Sequence, residues 1–294
     1  LHTLPLHLHE VLASFLVFTF INDTLSPRLS TWLLGPARYP RLPRHTQAQW
    51  DMHFTSLVNA TMLSLVLPYV LLADEGRANA TWEDRLWGYT GAGGLVQAVS
   101  AGYFLWDVKV CAGSVSELGG VGGGLGLLHA VVGLCITVLG FRPFGLYYGM
   151  QYGLVELSTP FVNIHWFLNK TGRAGSLLQV VNGIILVITF ACCRLLWGAY
   201  MTTTFFGDVW TALQAPGPSS TIYRLAKGPP LMLEHRAEWW VGASFMCTHA
   251  VVMGLSAFWF AKMVRTMRGH IKSRGTETEE KKKEKKEKKE KKAE

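Results

Sequence analysis

The stretch 177-LLQVVNGIILVITFACCRLLWGA-199 carries a single charged side chain, Arg194, in twenty-three residues. A helix rises about 1.5 Å per residue, and roughly 20 apolar residues cross the hydrocarbon core of a bilayer. The run is long enough to span, and Arg194, three to five residues from its end, can snorkel to the interface. Working outward, six further runs read as spans: Leu6–Ile21, Phe54–Ala73, Leu95–Val110, Val121–Gly140, Gly145–Trp166 and Trp240–Met263. The first and third are short for a span and the fifth is polar for one. Composition agrees, since 49% of the 294 residues are hydrophobic and 16% charged, against about a quarter charged in a soluble domain. The expected fold is all-α, a polytopic membrane helix bundle of about seven transmembrane helices.

The charges are unevenly placed. From Lys262 to the C-terminus there are 14 Lys/Arg and 7 Asp/Glu, whereas the rest of the chain holds 14 and 13. The pI of 9.3 is therefore a property of the tail. No aromatic residues interleave its lysines as a base-stacking platform would need, so no nucleic-acid partner is expected. Cytosolic loops carry the excess of Lys and Arg. With the C-terminus cytosolic, seven spans place the N-terminus in the lumen. The loop holding Arg28, Arg38, Arg41 and Arg44 is then cytosolic, as is the one holding Lys170 and Arg173, and the acid-balanced loop at 74–91 is lumenal. Six or eight spans would put the arginine-rich loop and the tail on opposite sides. Of four Asn-x-Ser/Thr sequons, only Asn79 faces the lumen, about six residues from a span.

Five cysteines without CxxC or Cys/His ligand spacing suggest neither a disulfide framework nor a metal site, and no cofactor motif is present. Cys111, near a span end, is the one cysteine where palmitoylation is conceivable. The segment Tyr200–Trp239 reads as loop around its Gly-Pro clusters, with Thr202–Leu213 apolar enough to lie at the membrane interface. Residues 269–294 form a Lys/Glu-rich tail too polar for a core, expected to be disordered or transiently helical. It ends Lys291-Lys292-Ala293-Glu294, a dilysine pattern of the kind retrieval coat proteins read; the competing reading is a polybasic segment drawn to anionic headgroups.

Ionisable residues within spans are costly and tend to face a bundle interior or a wet cavity. His129, Glu156 and His249 lie nearest mid-span. Helical spacing puts Gly122, Gly126, His129, Gly133 and Gly140 on one face of the fourth span, where small residues admit a neighbouring helix or an acyl chain. The fifth span carries a polar, small stripe through Gly149, Tyr152, Gly153, Glu156, Thr159, Pro160 and Asn163, with a kink expected at Pro160. Gly122, Gly126, His129, Gly133, Glu156 and Asn163 are expected to line a lipid pocket, with Gly122, Gly126 and Gly133 against an acyl chain and Glu156 and Asn163 toward a headgroup. A helix-packing seam with a hydrogen-bonded histidine is the alternative. Asp107, which with Lys109 reads equally as an interfacial residue, and His249, which reads as a packing histidine, are weaker candidates.

The segments 102-GYFLWDV-108, Leu128-His129 and 156-ELSTPFVN-163, preceded by 50-WDMHFTS-56, resemble in order and spacing the TLC-domain family. That family includes ceramide synthases and translocon-associated TRAM proteins. The resemblance covers residues 50–268, leaving 1–49 as an N-terminal span and cytosolic loop, and is nearer the smaller TLC-domain proteins than the synthases. It implies a six-helix bundle in the endoplasmic reticulum that handles lipid. In the synthases a double histidine carries acyl transfer; the matching Leu128-His129 lacks one of the pair. The favoured expectation is a lipid-binding or lipid-sensing protein of membrane-lipid homeostasis, with membrane lipids as partners. The alternative is an acyl-CoA-dependent N-acyltransferase with His129 as general base, in a site open to the cytosol. A structural or cargo-binding membrane protein is the third reading.

Overall fold

Proline and polar residues interrupt the apolar runs without ending the helices that contain them. In the computed structural model of this protein, residues 1–114, 121–142, 144–215, 219–223, 231–235 and 238–290 are described. Among these, seven helical rods correspond to the seven expected spans. The first, Leu4–Leu34, joins α1 (Leu4–Phe20) to α2 (Ser26–Leu34) through a π-helical turn at Ile21–Leu25. Pro27 has no N–H to donate, and immediately before it the ladder slips, with the Ser26 N–H donating to the Ile21 carbonyl. The rod thus continues past Ile21, where the polar pair Asn22-Asp23 suggested a loop.

The second rod is α3 (Arg44–Ala73), followed by the short helix α4 (Trp82–Trp87). The third and fourth are α5 (Gly91–Ser114) and α6 (Val121–Leu139). In the fifth, α7 (Leu146–Tyr152) tightens into a 3-10 segment at Gly153–Ser158 before α8 (Thr159–Lys170). Pro160, at the start of α8, accounts for the change of winding one turn earlier. The sixth runs from α9 (Leu177–Phe190) through a π-helical segment, Ala191–Trp197, into α10 (Gly198–Gln214). The seventh is α11 (Trp239–Glu290). Leu4–Leu34, Arg44–Ala73, Leu177–Gln214 and Trp239–Gly269 are each long and apolar enough to cross a membrane, and α6 is a shorter apolar helix.

Thr202–Leu213 is helical: it belongs to α10, which continues the sixth rod as one helix of 38 residues. No proline occurs between Pro160 and Pro216 to stop it. Beyond it, β1 (Ser219–Tyr223) and β2 (Leu231–His235) pair antiparallel, Ser219 opposite His235 and Tyr223 opposite Leu231. At the other end, the backbone of α11 stays helical through the Lys/Glu stretch to Glu290.

Packing closes the rods into a ring. α3, α5, α6, α11, the sixth rod and the fifth rod touch in that cyclic order, and the fifth returns to α3. The first rod lies outside the ring, against α5. There Gly102 lets the backbones meet: a Cβ at that position would stand 2.5 Å from the Val11 carbonyl oxygen.

At one end of the ring α4 is a plug. The Thr81 hydroxyl and the Asp84 carboxylate form a reciprocal cap at its start, satisfying amides that the helix leaves unpaired. Leu86 and Trp87 are buried in an aromatic core with Phe144, Tyr148, Phe205 and Phe245. Arg85 locks the plug to α10, donating from Nε to Asp208 Oδ2 at 2.6 Å and from Nη2 to Oδ1 at 2.7 Å. The Tyr148 hydroxyl also donates to Asp208. Hydrogen bonding to Asp208 raises the Arg85 pKa further above its ordinary value. At the opposite end Asp51 accepts from Ser26 and Tyr39, tying the first inter-rod loop to α3.

Candidate functional site

Six rods around a common axis leave a central space, and its chemistry depends on the side chains each rod turns inward. A cavity of about 190 Å³ lies inside the ring and is lined by residues from all six of its rods. By the same measure a single water needs roughly 10–15 Å³, so the space is large enough for a sizeable ligand. Leu63, Leu67, Val96, Ile136, Phe144 and Phe205 make most of the wall apolar. The lining positions run from Phe144 and Tyr148, beneath the α4 plug, to His129, Glu156 and Arg194 near the middle of their rods. The cavity therefore occupies the α4 half of the bundle and has its charged groups at the inner end.

Arg194 makes that end. Its Nη2 stands 3.4 Å from Glu156 Oε1 and donates to Thr159 Oγ1 at 2.9 Å, while Nε donates to Ser158 Oγ at 3.0 Å. The guanidinium also lies 5.3 Å from the Phe190 ring centre. Arg194 is buried, at 8% exposure, so the snorkelling expected from its position in 177–199 is corrected. With the rod extended to Gln214, Arg194 sits beside its midpoint. The π-helical segment carries it, and such segments recur at functional sites. Its acceptors Ser158 and Thr159 lie where the 3-10 winding of the fifth rod meets α8.

His129 also lines the cavity, edge-on to Phe104 with ring centres 5.9 Å apart and to Trp259 at 5.6 Å. It is within electrostatic reach of both Glu156 and Arg194. His249 lines the same space, but its Nδ1 donates to the Phe245 carbonyl at 2.7 Å and its ring packs among Tyr152, Phe205 and Phe206. The three mid-span residues singled out from sequence thus share one cavity.

The glycine face of α6 divides between packing and cavity. Gly133 lines the space, although a Cβ there would fall 2.4 to 2.6 Å from the Phe104 ring. Gly140 is similarly covered by the Gln97 amide. Gly126 lies over Cys111 of α5, 3.8 Å from a notional Cβ, and is not among the lining residues. Gly122 belongs to the first turn of α6. Asn163 is also elsewhere. Its Oδ1 accepts from His53 Nδ1 at 2.7 Å and its Nδ2 donates to Ser56 Oγ at 3.1 Å, pinning α8 to α3. Asp107 accepts from the Cys111 thiol at 3.4 Å, one turn along α5, and Cys111 is buried rather than presented for acylation. Lys291 and Lys292 lie outside the described residues.

Sequence reading placed Arg194 at the interface rather than in the cavity, and gave no sign of the lining amides Gln97 and Asn59. Gln97 donates to the Thr137 carbonyl. Asn59 is almost fully buried in the α3 wall, and among the described residues its side-chain oxygen has no hydrogen-bond partner.

A family model described as the TLC domain matches residues 49–265. The chain is 34% identical over 267 residues to an uncharacterised TLC domain-containing protein of Schizosaccharomyces pombe, covering 90% of this chain and 80% of that one. It is 31% identical over 195 residues to TLC domain-containing protein 4-B of Xenopus laevis, covering 65% and 70% of the two chains. Topoisomerase I damage affected protein 4 of Saccharomyces cerevisiae is 26% identical over 209 residues, covering 69% and 71%.

Proposed function

This chain belongs to the TLC-domain family of membrane proteins, and from that premise we propose that it binds or senses lipid in the endoplasmic-reticulum membrane, in the service of membrane-lipid homeostasis. The observation that carries this reading is the cavity, apolar along its length and polar at one end, where Glu156 and Arg194 pair and His129 lines the same wall. An amphiphile has that distribution of polarity. Charged side chains at mid-membrane are costly, and a packing role alone would be met by apolar residues.

In the orientation favoured by the Lys/Arg distribution, the α4 end faces the lumen and the tail the cytosol. The terminal Lys291 and Lys292 would then be available to retrieval coat proteins.

His129→Ala and Glu156→Gln are the test. Each is expected to reach the reticulum at normal abundance while abolishing the difference in lipid composition between cells with and without the protein. Variants that retain the full effect would overturn the lipid role of this site. Incubating purified protein with acyl-CoA and a sphingoid base separates the second reading. Product formation dependent on His129 would make the protein an N-acyltransferase, a reading favoured only by the placement of His129 beside a carboxylate and a cation.

A further inference from the structure

The charges in the cavity wall cancel. Among the described residues, Glu156 and Arg194 are the acidic and the basic side chain of the lining, and they pair with each other at 3.4 Å. A ligand bearing a phosphate, a free carboxylate or an ammonium would bring an uncompensated charge into the membrane interior. Such a charge is expensive where water cannot reach it.

Hydrogen-bonding capacity, by contrast, is left over. The Nη1 group of Arg194 makes no hydrogen bond among the described residues, since its bonds to Ser158, Thr159 and Glu156 use Nε and Nη2. Buried donors of this kind are ordinarily satisfied.

Building on the lipid-binding reading, we propose that the ligand of this cavity is an uncharged amphiphile, an apolar chain whose neutral polar head accepts from Arg194 Nη1.

The experiment uses the purified full chain in detergent micelles with four ligands of equal chain length. These are monopalmitoylglycerol, palmitate, hexadecylamine and palmitoyl lysophosphatidylcholine, with binding read by native mass spectrometry. Monopalmitoylglycerol should bind at least ten-fold more tightly than the other three. Glu156→Gln, which leaves Arg194 uncompensated, should raise affinity for palmitate about ten-fold. Arg194→Gln should do the same for hexadecylamine, and serves if the first variant does not fold. A wild-type protein that binds palmitate, hexadecylamine or the lysophospholipid as tightly as the glyceride would overturn the neutral-head assignment and leave lipid binding standing. Binding of none of the four would overturn both.

Discussion

Asp208→Asn should loosen the α4 plug without changing its shape. Asp208 is nearly isosteric with asparagine, and its carboxylate is 10% exposed while the Arg85 side chain is 26% exposed. Two bonds at 2.6 and 2.7 Å join the pair, and the Tyr148 hydroxyl adds a third to the same carboxylate. Hydrogen bonds involving a charged group contribute about 1.5–3 kcal/mol each. Because a quarter of Arg85 is open to solvent, the lower figure applies, and losing two such bonds costs about 3 kcal/mol. The same value is the lower end of what breaking a buried pair costs. At about 2–4 °C per kcal/mol for a chain of this order of size, the detergent-solubilised variant should melt roughly 6–12 °C below the parent. Intrinsic fluorescence is a suitable probe, since Trp82 and Trp87 of α4 pack in this region. Arg85→Gln together with Asp208→Asn should lose markedly less than the sum of the two single changes, because each single change strands the other member of the pair. A melting temperature within about 1 °C of the parent for Asp208→Asn would refute the latch.

Gly102→Val places side-chain carbons against the Val11 carbonyl. Backbone cannot yield as a side chain does, so the first rod should separate from α5, exposing Cys introduced at Phe18 to a membrane-permeant thiol reagent. Gly133→Ala forces the Phe104 ring out of its place at a cost of about 1–3 kcal/mol for an overpacked core, and Phe104→Leu in the same chain should recover part of the lost melting temperature. Arg194→Ala leaves Glu156 without its cation and should lower the yield of folded protein by gel filtration more than the double change Arg194→Met, Glu156→Met, which removes both charges. Changing Lys291 and Lys292 to Ser should let a reporter fusion leave the reticulum, and an unaltered location under the microscope would assign retention to the spans.

The number and order of the rods were legible in the sequence because leaving water is a property of each segment alone. Any run of about 20 apolar residues must bury its backbone in a helix, wherever its neighbours lie. The same holds for the change of winding ahead of Pro160, since a missing N–H acts within one turn. The motifs around Gly102, His129 and Glu156 likewise sufficed to point to the TLC-domain family. Partnership was not legible. Arg194 in an apolar run looks alike whether it snorkels or is paired, and its partner Glu156 stands 38 positions away on another rod. The absence of proline before Pro216 was the available sign that the rod continued and that Arg194 lay deep. Asn163 shows the reverse case. Its spacing puts it on the stripe of Glu156, yet the two groups face different company, because the 3-10 segment between Gly153 and Ser158 alters the winding that a 3.6-residue period assumes. Asp208 and Arg85, 123 positions apart, carry no mutual signal at all. Hydropathy and periodicity act along the chain and within a helix, whereas the cavity, its balanced charges and its plug depend on which helix faces which, and only the closing of the ring decides that.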